Sequence, residues 1–397
     1  MTTLVVGAGF SGIAAAWALS RRGREVVLVA DGVGASSLYP GALDRLEWGG
    51  PPDPRPLPGD VESFLGALGC FAPPGGAAAR VATTAGVLRP ARCRDRALLD
   101  LEPLRGQRIE VVDLGRPGWD ADALALSWSE SAWARHTRTH FRAVAVDAPD
   151  SQVVASLPAV ELAARADDPS WAASLAEALA AAGDGHSPLL IGPWLGLQPE
   201  SVERLRTLVR RPIGETLSDP GGAAGLRFEA ARDAWLSRSG IGVEQAEVHS
   251  IMRRGDRYEV KCRLPGEDTL MLLDEEVNEV ILAIGGVIGG GVRFLSGLGS
   301  EGRSFSMSLS APVALRLAGR EVAIESGALG ADLQRLGIDA LLNVGLSVDE
   351  RMLAAAPELY AVGDLVAERP RCALEAIHSG LGAARAVCRV RAPSLSP

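Results

Sequence analysis

A glycine-rich turn near the start of the chain constrains its fold more than any other feature. The largely β-branched run Thr2–Val6 leads directly into Gly7–Gly12, which reads GAGFSG, and an alanine-rich stretch follows. A strand, a G-x-G-x-x-G turn and a helix in immediate succession are typical of a dinucleotide-binding βαβ unit. We expect Gly7 to make the tight turn, Gly9 to let the backbone approach a pyrophosphate, and Gly12 to bring the helix close to the sheet.

The first turn of this helix is the predicted phosphate-binding end. Phe10 and Ser11 lie there, and N–H groups at the start of a helix have no earlier turn to bond with. The helix dipole places positive potential at the same end, so both features favour an anionic ligand. The alternative is a tight strand-to-helix turn without a ligand. It has less support, because strand, turn and helix follow one another without a spare residue.

The second strand-like run, Glu25–Ala30, ends without the acidic residue that usually holds an adenosine ribose in such folds. Asp31 follows one position later and is either the ribose ligand or a simple turn aspartate. The next loop is rich in small and hydroxyl residues and contains Ser36 and Ser37. We expect these two hydroxyls to donate to phosphate oxygens, unless the segment is an ordinary polar connection.

Charge and composition argue against several other functions. The 397 residues carry a net charge of −9, whereas a nucleic-acid-binding surface would show clustered cations and a high pI. The five cysteines form no C-x-x-C pair, which argues against an iron–sulfur or structural zinc site. His136 and His140 are four residues apart but lack a third ligand nearby. The sequence therefore predicts no metal site.

The scattered single cysteines also predict a cytoplasmic protein with reduced thiols. No signal-peptide pattern precedes the first strand. The sequence has no run of 18 apolar residues, so we expect no direct membrane span and any membrane contact to go through a partner.

The middle of the chain predicts a second α/β region. After a proline-rich linker at 51–58, strand-like and helical runs alternate from about 100 to 215. Asp120–Arg135 is predicted to be helical. Asp168 and Pro169 are expected to begin another helix as its N-cap and first helical residue. This alternation indicates an inserted α/β lobe.

Two later landmarks join the first glycine turn. The apolar strand Glu279–Ile284 runs into glycines that extend to Gly291. The short strand Leu359–Val362 ends in Gly363 and Asp364, and a helix over Ala373–Arg389 is predicted to follow. Repeated glycines after a buried strand favour close backbone approach to a flat or phosphorylated ligand.

Together these landmarks resemble those of flavoproteins of the two-dinucleotide-fold type. Within that group the chain most resembles the B-type subunit of anaerobic glycerol-3-phosphate dehydrogenase, over essentially its whole length. The stretches that carry the resemblance are Ser36–Asp44, Gly225–Arg227, Ala283–Gly291 and Leu359–Asp364.

The predicted fold class is therefore α/β. It consists of a Rossmann-like FAD/NAD(P)-binding domain, with a parallel sheet and a β-meander, and an inserted α/β cap or substrate lobe. The predicted division assigns 1–50, 221–295 and 346–397 to the cofactor domain and 51–220 and 296–345 to the lobe.

The resemblance implies FAD as the cofactor, with FMN as the alternative. It implies that Asp364 bonds the ribityl chain or the pyrophosphate, and that the helix after it points its N-terminus at the flavin pyrimidine ring. The chain departs from the family at Glu375–Gly380, where the family has a glycine-rich turn. Besides the residues named above, the predicted cofactor-binding residues are Gly41, Ala42, Val248, Ala283, Gly285, Gly363 and Ser379.

The resemblance also implies an activity and partners. Members of that family take part in oxidising sn-glycerol 3-phosphate to dihydroxyacetone phosphate. They work with a larger catalytic flavin subunit and with an iron–sulfur subunit that docks at the membrane and passes electrons to quinone. This chain would then be cytoplasmic or peripheral at the inner membrane. Two alternatives stay open: a non-catalytic flavin-binding, assembly or electron-relay subunit, and a stand-alone FAD dehydrogenase of another hydroxy acid.

Oxidation of a hydroxyl group by a flavin requires a base for the hydroxyl proton and cations for an anionic substrate. His378 is either that base or a histidine on a helix surface. Arg227 and Arg371 are the predicted anion-binding residues, with Arg369 beside them. The alternative is that these arginines are solvated, which is the more common outcome in a chain with a single lysine.

Overall fold

The computed structural model describes residues 2–44, 56–72, 78–273, 276–295, 304–317, 320–321, 344–354 and 356–389. Within these ranges the helices are α1 (Phe10–Ser20), α2 (Gly59–Leu68), α3 (Ala121–Glu130), α4 (Ala132–Thr137), α5 (Ser151–Ser156), α6 (Ala159–Arg165), α7 (Pro169–Ala181), α8 (Pro199–Val209), α9 (Ala223–Ser239) and α10 (Ala373–Arg389). The strands are β1 (Thr2–Val6), β2 (Glu25–Ala30), β3 (Ala42–Leu43), β4 (Phe71–Ala72), β5 (Ala79–Ala82), β6 (Leu88–Ala91), β7 (Cys93–Asp95), β8 (Arg108–Asp113), β9 (His140–Ala145), β10 (Leu189–Ile191), β11 (Ile213–Glu215), β12 (Gly242–Gln245), β13 (Glu247–Arg254), β14 (Arg257–Arg263), β15 (Leu270–Leu272), β16 (Val277–Leu282), β17 (Val292–Leu295), β18 (Ser304–Met307), β19 (Arg316–Leu317), β20 (Arg320–Glu321) and β21 (Leu359–Ala361).

The chain folds into two compact units. Unit 1 comprises the described residues of Met1–Ser36 and Leu236–Pro397, and unit 2 comprises those of Ser37–Asp44 and Pro51–Trp235. The unit boundaries differ from the predicted ones at three places. Ser37–Asp44 and 221–235 belong to unit 2, and the described residues within 304–317 belong to unit 1. Most of the remaining predicted lobe at 296–345, and most of the proline-rich linker, lie outside the described residues.

Unit 1 is built on a parallel sheet with the strand order β12-β2-β1-β16-β21. Its central strands β1 and β16 are almost entirely buried, as expected for parallel strands that are covered on both faces. Strands β13, β14 and β15 form an antiparallel meander that joins this sheet where Tyr258 pairs with Val277. The predicted Rossmann-like arrangement of a parallel sheet with a β-meander is confirmed.

Unit 2 has its own parallel sheet, with the order β9-β8-β10-β11. After β8 the chain forms β9 on one side of that strand, and it then crosses to the other side of β8 to form β10 and β11. This is a doubly wound arrangement. The buried aromatic residues of its core include Trp119, Trp128 and Trp194. Two smaller antiparallel sheets, β3-β7-β4 and β5-β6, complete the strands of unit 2.

Two predicted helices of unit 2 had different outcomes. Asp168 does cap α7, because its carboxylate accepts from the N–H groups of Ser170 (2.8 Å) and Trp171 (2.9 Å). The single helix predicted over 120–135 is wrong, since the segment divides into α3 and α4 at Ser131. That residue has an extended backbone, and its hydroxyl accepts from the N–H of Ala134 (3.1 Å), so it begins a second helix.

Among the described residues, no helix is both long enough and apolar enough to cross a lipid bilayer.

Two glycines at the C-terminal end of α2 provide a test of this fold. Gly66 lies in an exposed helical turn with open space around an added Cβ, so Gly66→Ala is expected to stabilise the protein by about 0.5–1 kcal/mol. Gly69 ends the helix with a φ of +80°, so Gly69→Ala is expected to destabilise it by about 1–2 kcal/mol. Urea unfolding measures both changes, and shifts in the same direction would contradict the assigned end of α2.

Candidate functional site

The turn after β1 is held by backbone contacts that leave no room for side chains. Gly7 has a φ of +109°, and its N–H donates to the carbonyl of Val29 on β2 (2.8 Å). A Cβ on Gly7 would lie 2.3 Å from the carbonyl oxygen of Ala283, and one on Gly12 would lie 1.9 Å from that of Gly7. Glycine is therefore required at both positions for α1 to start where it does.

The N-terminus of α1 is capped by a side chain from a distant loop. Gly9 is the N-cap and brings no capping side chain of its own. Instead, the N–H of Phe10 donates to Ser36 Oγ (3.0 Å). A hydroxyl that accepts in this way can still donate its proton to another acceptor. Since the first turn of α1 contains no acidic residue, its positive potential is not neutralised from within the helix.

A second glycine turn, after β21, lies against the same helix. Gly363 has a φ of +67°, and its N–H donates to Ser379 Oγ on α10 (2.8 Å). The Ser379 hydroxyl in turn donates to the carbonyl of Ala376 (2.9 Å). A Cβ on Gly363 would lie 2.6 Å from Ser11 Oγ. Three of the predicted cofactor residues, Ser11, Gly363 and Ser379, are thus brought together.

Asp364 and Arg371 form the far side of this turn. Burial raises the pKa of Asp364 above its ordinary value of 3.8, and the positive charge of Arg371 opposes that shift. The Arg371 guanidinium donates to the backbone carbonyl of Asp364 and to that of Val344 (2.6 Å). Arg371 was predicted to bind substrate, but its described contacts hold the backbone of the turn in place.

Helix α10 begins beside this turn and packs closely on α1. A Cβ on Gly380 would lie 2.1 Å from the carbonyl oxygen of Ser11. The first turn of α10 contains Glu375, whose carboxylate lies 3.3 Å from the Arg369 guanidinium. His378 follows in the second turn and is half-buried. An acidic residue at this end reduces the positive potential that the resemblance implies there, and the role of His378 stays a prediction.

The glycine-rich segment after β16 folds back on itself. The N–H of Ala283 donates to the carbonyl of Val6 (2.8 Å), which continues the pairing of β16 with β1. Gly285 has a φ of +80°, and a Cβ on it would lie 3.2 Å from the Cα of Gly289. A Cβ on Gly289 would in turn lie 3.6 Å from the backbone N of Ala35. These glycines therefore serve close contacts within unit 1.

The remaining predicted cofactor residues of unit 1 lie at the carboxyl end of β2. Asp31 directly follows that strand and is exposed. The N–H of Ala246 donates to the carbonyl of Ala30 (3.3 Å), so β13 begins beside the end of β2. Val248 on β13 is buried, and the register with β14 shifts just after it.

Arg227, the other predicted substrate arginine, is enclosed in the core of unit 2 with 1% of its surface exposed. Its guanidinium donates to Asp95 (3.0 Å), to Glu215 (2.5 Å) and to the carbonyl of Gly196 (2.5 Å). Glu215 also accepts from the N–H of Leu195 (2.5 Å). Burial lowers the pKa of Arg227, but the two carboxylates more than offset this and raise it overall.

The prediction that Arg227 binds substrate is therefore corrected. Each of its three nitrogens donates to a group of unit 2, and no solvent-accessible face remains for a ligand. No local sequence pattern signals its partners, because Asp95 and Glu215 end short strands far apart in the chain. Burying a charge without partners is costly, so this network serves the packing of unit 2.

Three predicted cofactor residues, Ser37, Gly41 and Ala42, also belong to unit 2. A Cβ on Gly225 would lie 1.8 Å from the carbonyl oxygen of Ser37. Gly41 has a φ of +116° and its carbonyl accepts from the N–H of Asp95 (2.7 Å), while Ala42 pairs with Arg94. Within unit 2 these residues form backbone contacts with α9 and β7.

No group of three or more potential metal-ligating side chains occurs among the residues that the structure describes.

Comparison with known proteins supports the fold of unit 1. Residues 5–40 match a family model described as an NAD(P)-binding Rossmann-like domain. The chain contains a Rossmann-like domain. A search of curated proteins gave no match.

Solved structures that are similar to this chain have low sequence identity to it. The GidA-related protein from Thermus thermophilus is 15% identical over 97% of each chain, with a TM-score of 0.29. Thioredoxin reductase from T. acidophilum is 13% identical over 97% of this chain and 96% of its own, with a TM-score of 0.24. A flavoprotein/dehydrogenase from Cytophaga hutchinsonii is 12% identical over 98% of this chain and 78% of its own, with a TM-score of 0.35.

The corrected role of Arg227 can be tested by measuring stability. Arg227→Met leaves Asp95 and Glu215 buried without their cation, so we expect it to lower the free energy of unfolding by about 3–5 kcal/mol. Arg232→Met is the matched control on α9, because Arg232 pairs with the exposed carboxylate of Asp233 (2.8 Å). This control variant is expected to lower the free energy of unfolding by no more than about 1 kcal/mol. Urea unfolding distinguishes the two, and equally small losses would contradict the structural role assigned to Arg227.

Proposed function

We propose that this chain is a flavin-dependent oxidoreductase subunit that binds FAD at the N-terminal end of α1. The observation that best supports this is the convergence of separate segments on that helix end. Ser36 bonds the N–H of Phe10, and the turn at Gly363 lies against Ser11. Sequence patterns that lie far apart in the chain predict that both segments bind the cofactor.

The residues at this end suit the pyrophosphate of a dinucleotide. The helix start supplies N–H donors and positive potential without an acidic neighbour in its first turn. A Cβ on Gly9 would lie 2.8 Å from Ser36 Oγ, so a side chain at this position would crowd the hydroxyl that caps the helix. A dinucleotide fits this arrangement better than FMN does, because the Rossmann-like fold also provides a place for the adenosine at the end of β2.

When bound, the flavin supplies the acceptor for a hydride. The chain's own residues then have separate tasks. Ser36 and the first turn of α1 bind the pyrophosphate, and the carboxylate of Asp364 accepts hydrogen bonds from cofactor hydroxyls. Arg371 positions Asp364 by holding its backbone carbonyl. His378 is the proposed acceptor of the substrate hydroxyl proton.

We further propose that the substrate and partners are those of the B-type subunit of anaerobic glycerol-3-phosphate dehydrogenase. The substrate would be sn-glycerol 3-phosphate, and electrons would pass through an iron–sulfur partner to quinone. The resemblance of Ser36–Asp44, Ala283–Gly291 and Leu359–Asp364 supports this assignment. Association with the membrane would go through the partner.

One observation favours a second candidate, a flavin-binding subunit that relays electrons or serves assembly without turning over substrate. Arg227 is enclosed by Asp95, Glu215 and Gly196, and Arg371 donates to two backbone carbonyls. Both arginines predicted to bind an anionic substrate are thus engaged in holding the fold.

The absorption spectrum of the purified chain tests the proposal, followed by release and chromatography of the cofactor. Bound FAD that is bleached by sn-glycerol 3-phosphate is the expected result for the catalytic form. Bound FAD that stays oxidised would favour the relay subunit. A colourless chain that also fails to take up added FAD would refute flavin binding.

A matched pair of glycine variants ties that result to the proposed site. Gly12→Ala places a Cβ 1.9 Å from the carbonyl oxygen of Gly7, so we expect it to weaken FAD binding by at least about ten-fold, or about 1.4 kcal/mol. Gly34→Ala, where nothing lies within 4 Å of an added Cβ, is expected to bind FAD like the wild type. Equal affinities in both variants would place the cofactor elsewhere.

The carboxyl of Asp364 predicts a pH dependence. Burial raises its pKa above 3.8, so the folded chain takes up a proton there at a higher pH than the unfolded chain does. Stability gained from this proton is present at low pH and is lost as pH rises through the raised pKa. FAD affinity should change in the opposite direction and fall on acidification, because only the carboxylate accepts hydrogen bonds with both oxygens.

Fluorescence titration of FAD from about pH 4 to pH 7 measures this effect. Asp364→Asn cannot titrate, so its FAD affinity should be lower at neutral pH and should not change across that range. An unaltered pH dependence in the variant would show that another group is responsible.

A further inference from the structure

A cluster of four charged residues lies at the carboxyl end of β2, outside the contacts described for the pyrophosphate end. Asp31 follows β2, and Ala246 bonds the last residue of that strand. Glu247, the first residue of β13, comes next and pairs in register with Arg263, the last residue of β14. The end of β2 and the end of the meander therefore share one edge of unit 1.

Glu247 has two arginine partners at this edge. The Arg263 guanidinium forms an ion pair with one of its oxygens, and that of Arg293 on β17 lies 3.7 Å from the other. Hydrogen bonding from Arg263 lowers the pKa of Glu247. The same hydrogen bond and the charge of Glu247 raise the pKa of Arg263, with smaller contributions from Asp268 and Asp31. The two arginines are thus balanced by Glu247 and Asp31, and Asp268 adds a further negative charge near Arg263.

The position of this cluster matters because of the fold. In Rossmann-like domains the end of the second strand is where the 2′ position of the adenosine ribose is distinguished. An acidic side chain there accepts from a free 2′-hydroxyl, whereas an available arginine accommodates a 2′-phosphate. The cluster contains both kinds of group, so the pairing between them determines which ribose it accepts.

We propose that Glu247 makes this site selective for an adenosine with a free 2′-hydroxyl by engaging Arg263 and Arg293. With both guanidiniums paired, an added 2′-phosphate would bring two further negative charges to an edge that has no unpaired cation in this cluster. The inference rests on the proposed dinucleotide site and specifies the class of ligand that it admits: dinucleotides of the FAD type rather than 2′-phosphorylated ones.

The test compares two probes on the full chain after release of any flavin. Calorimetry measures the affinity of 5′-ADP and of adenosine 2′,5′-bisphosphate for the wild type and for Glu247→Gln. We expect the variant to bind the bisphosphate about three- to five-fold more tightly than the wild type does, the effect of freeing one exposed ion pair. Its affinity for 5′-ADP should be unchanged.

Two further variants control for unrelated effects. Glu276→Gln removes an exposed carboxylate that pairs with Arg257, at the other end of β14, and it should leave both affinities as in the wild type. Combining Glu247→Gln with Arg263→Gln and Arg293→Gln should abolish the gain, because both released guanidiniums are then absent. Thermal melting of each variant establishes that it is folded.

The outcomes separate this inference from the proposed function. If the wild type binds neither probe, the dinucleotide site itself is refuted and the inference with it. If 5′-ADP binds and Glu247→Gln does not gain affinity for the bisphosphate, only the selectivity role is refuted. A change in preference that comes solely from weaker 5′-ADP binding would make Glu247 a ribose ligand and would also overturn the proposed role.

Discussion

The backbone contact between α1 and the turn before it is the constraint on which unit 1 depends. Because Gly12 approaches the carbonyl oxygen of Gly7 and Gly380 approaches that of Ser11, α1 lies in close backbone contact with the turn before it and with α10 at these two points. This close fit brings the start of α1 to Ser36 and to the turn at Gly363. A larger residue at either glycine would displace the helix, and the separate segments would no longer meet at its end.

Local patterns were sufficient to predict much of the fold. The predicted bounds of β2 and α10 agree with the structure, since each is a run of residues that favour one kind of element and its ends can be read from the sequence. The division at Ser131 was missed because serine is tolerated inside a helix as well as at its start. The role of Ser36 as a cap for α1 depends on a contact across 26 residues, and no local pattern contains such information.

The roles of the arginines could not be predicted from the sequence. In a chain whose cations are nearly all arginine, position beside a motif does not distinguish a ligand-binding guanidinium from a structural one. Arg227 is close to a glycine that resembles a family motif, yet its partners Asp95 and Glu215 come from β7 and β11. The contact between Glu247 and Arg293 was missed because β17 belongs to a separate sheet, and no local pattern places it beside β13.

The tryptophans of unit 2 have an optical consequence. Trp119 lies 5.2 Å from Trp194 and 6.5 Å from Trp128 between ring centroids, and all three are buried. Among its described residues, unit 1 contributes Trp17. Intrinsic fluorescence of the chain will therefore report mainly on the interior of unit 2, whereas the colour of a flavin bound at α1 would report on unit 1. With a flavin bound there, the two units would carry separate spectroscopic labels without any chemical modification.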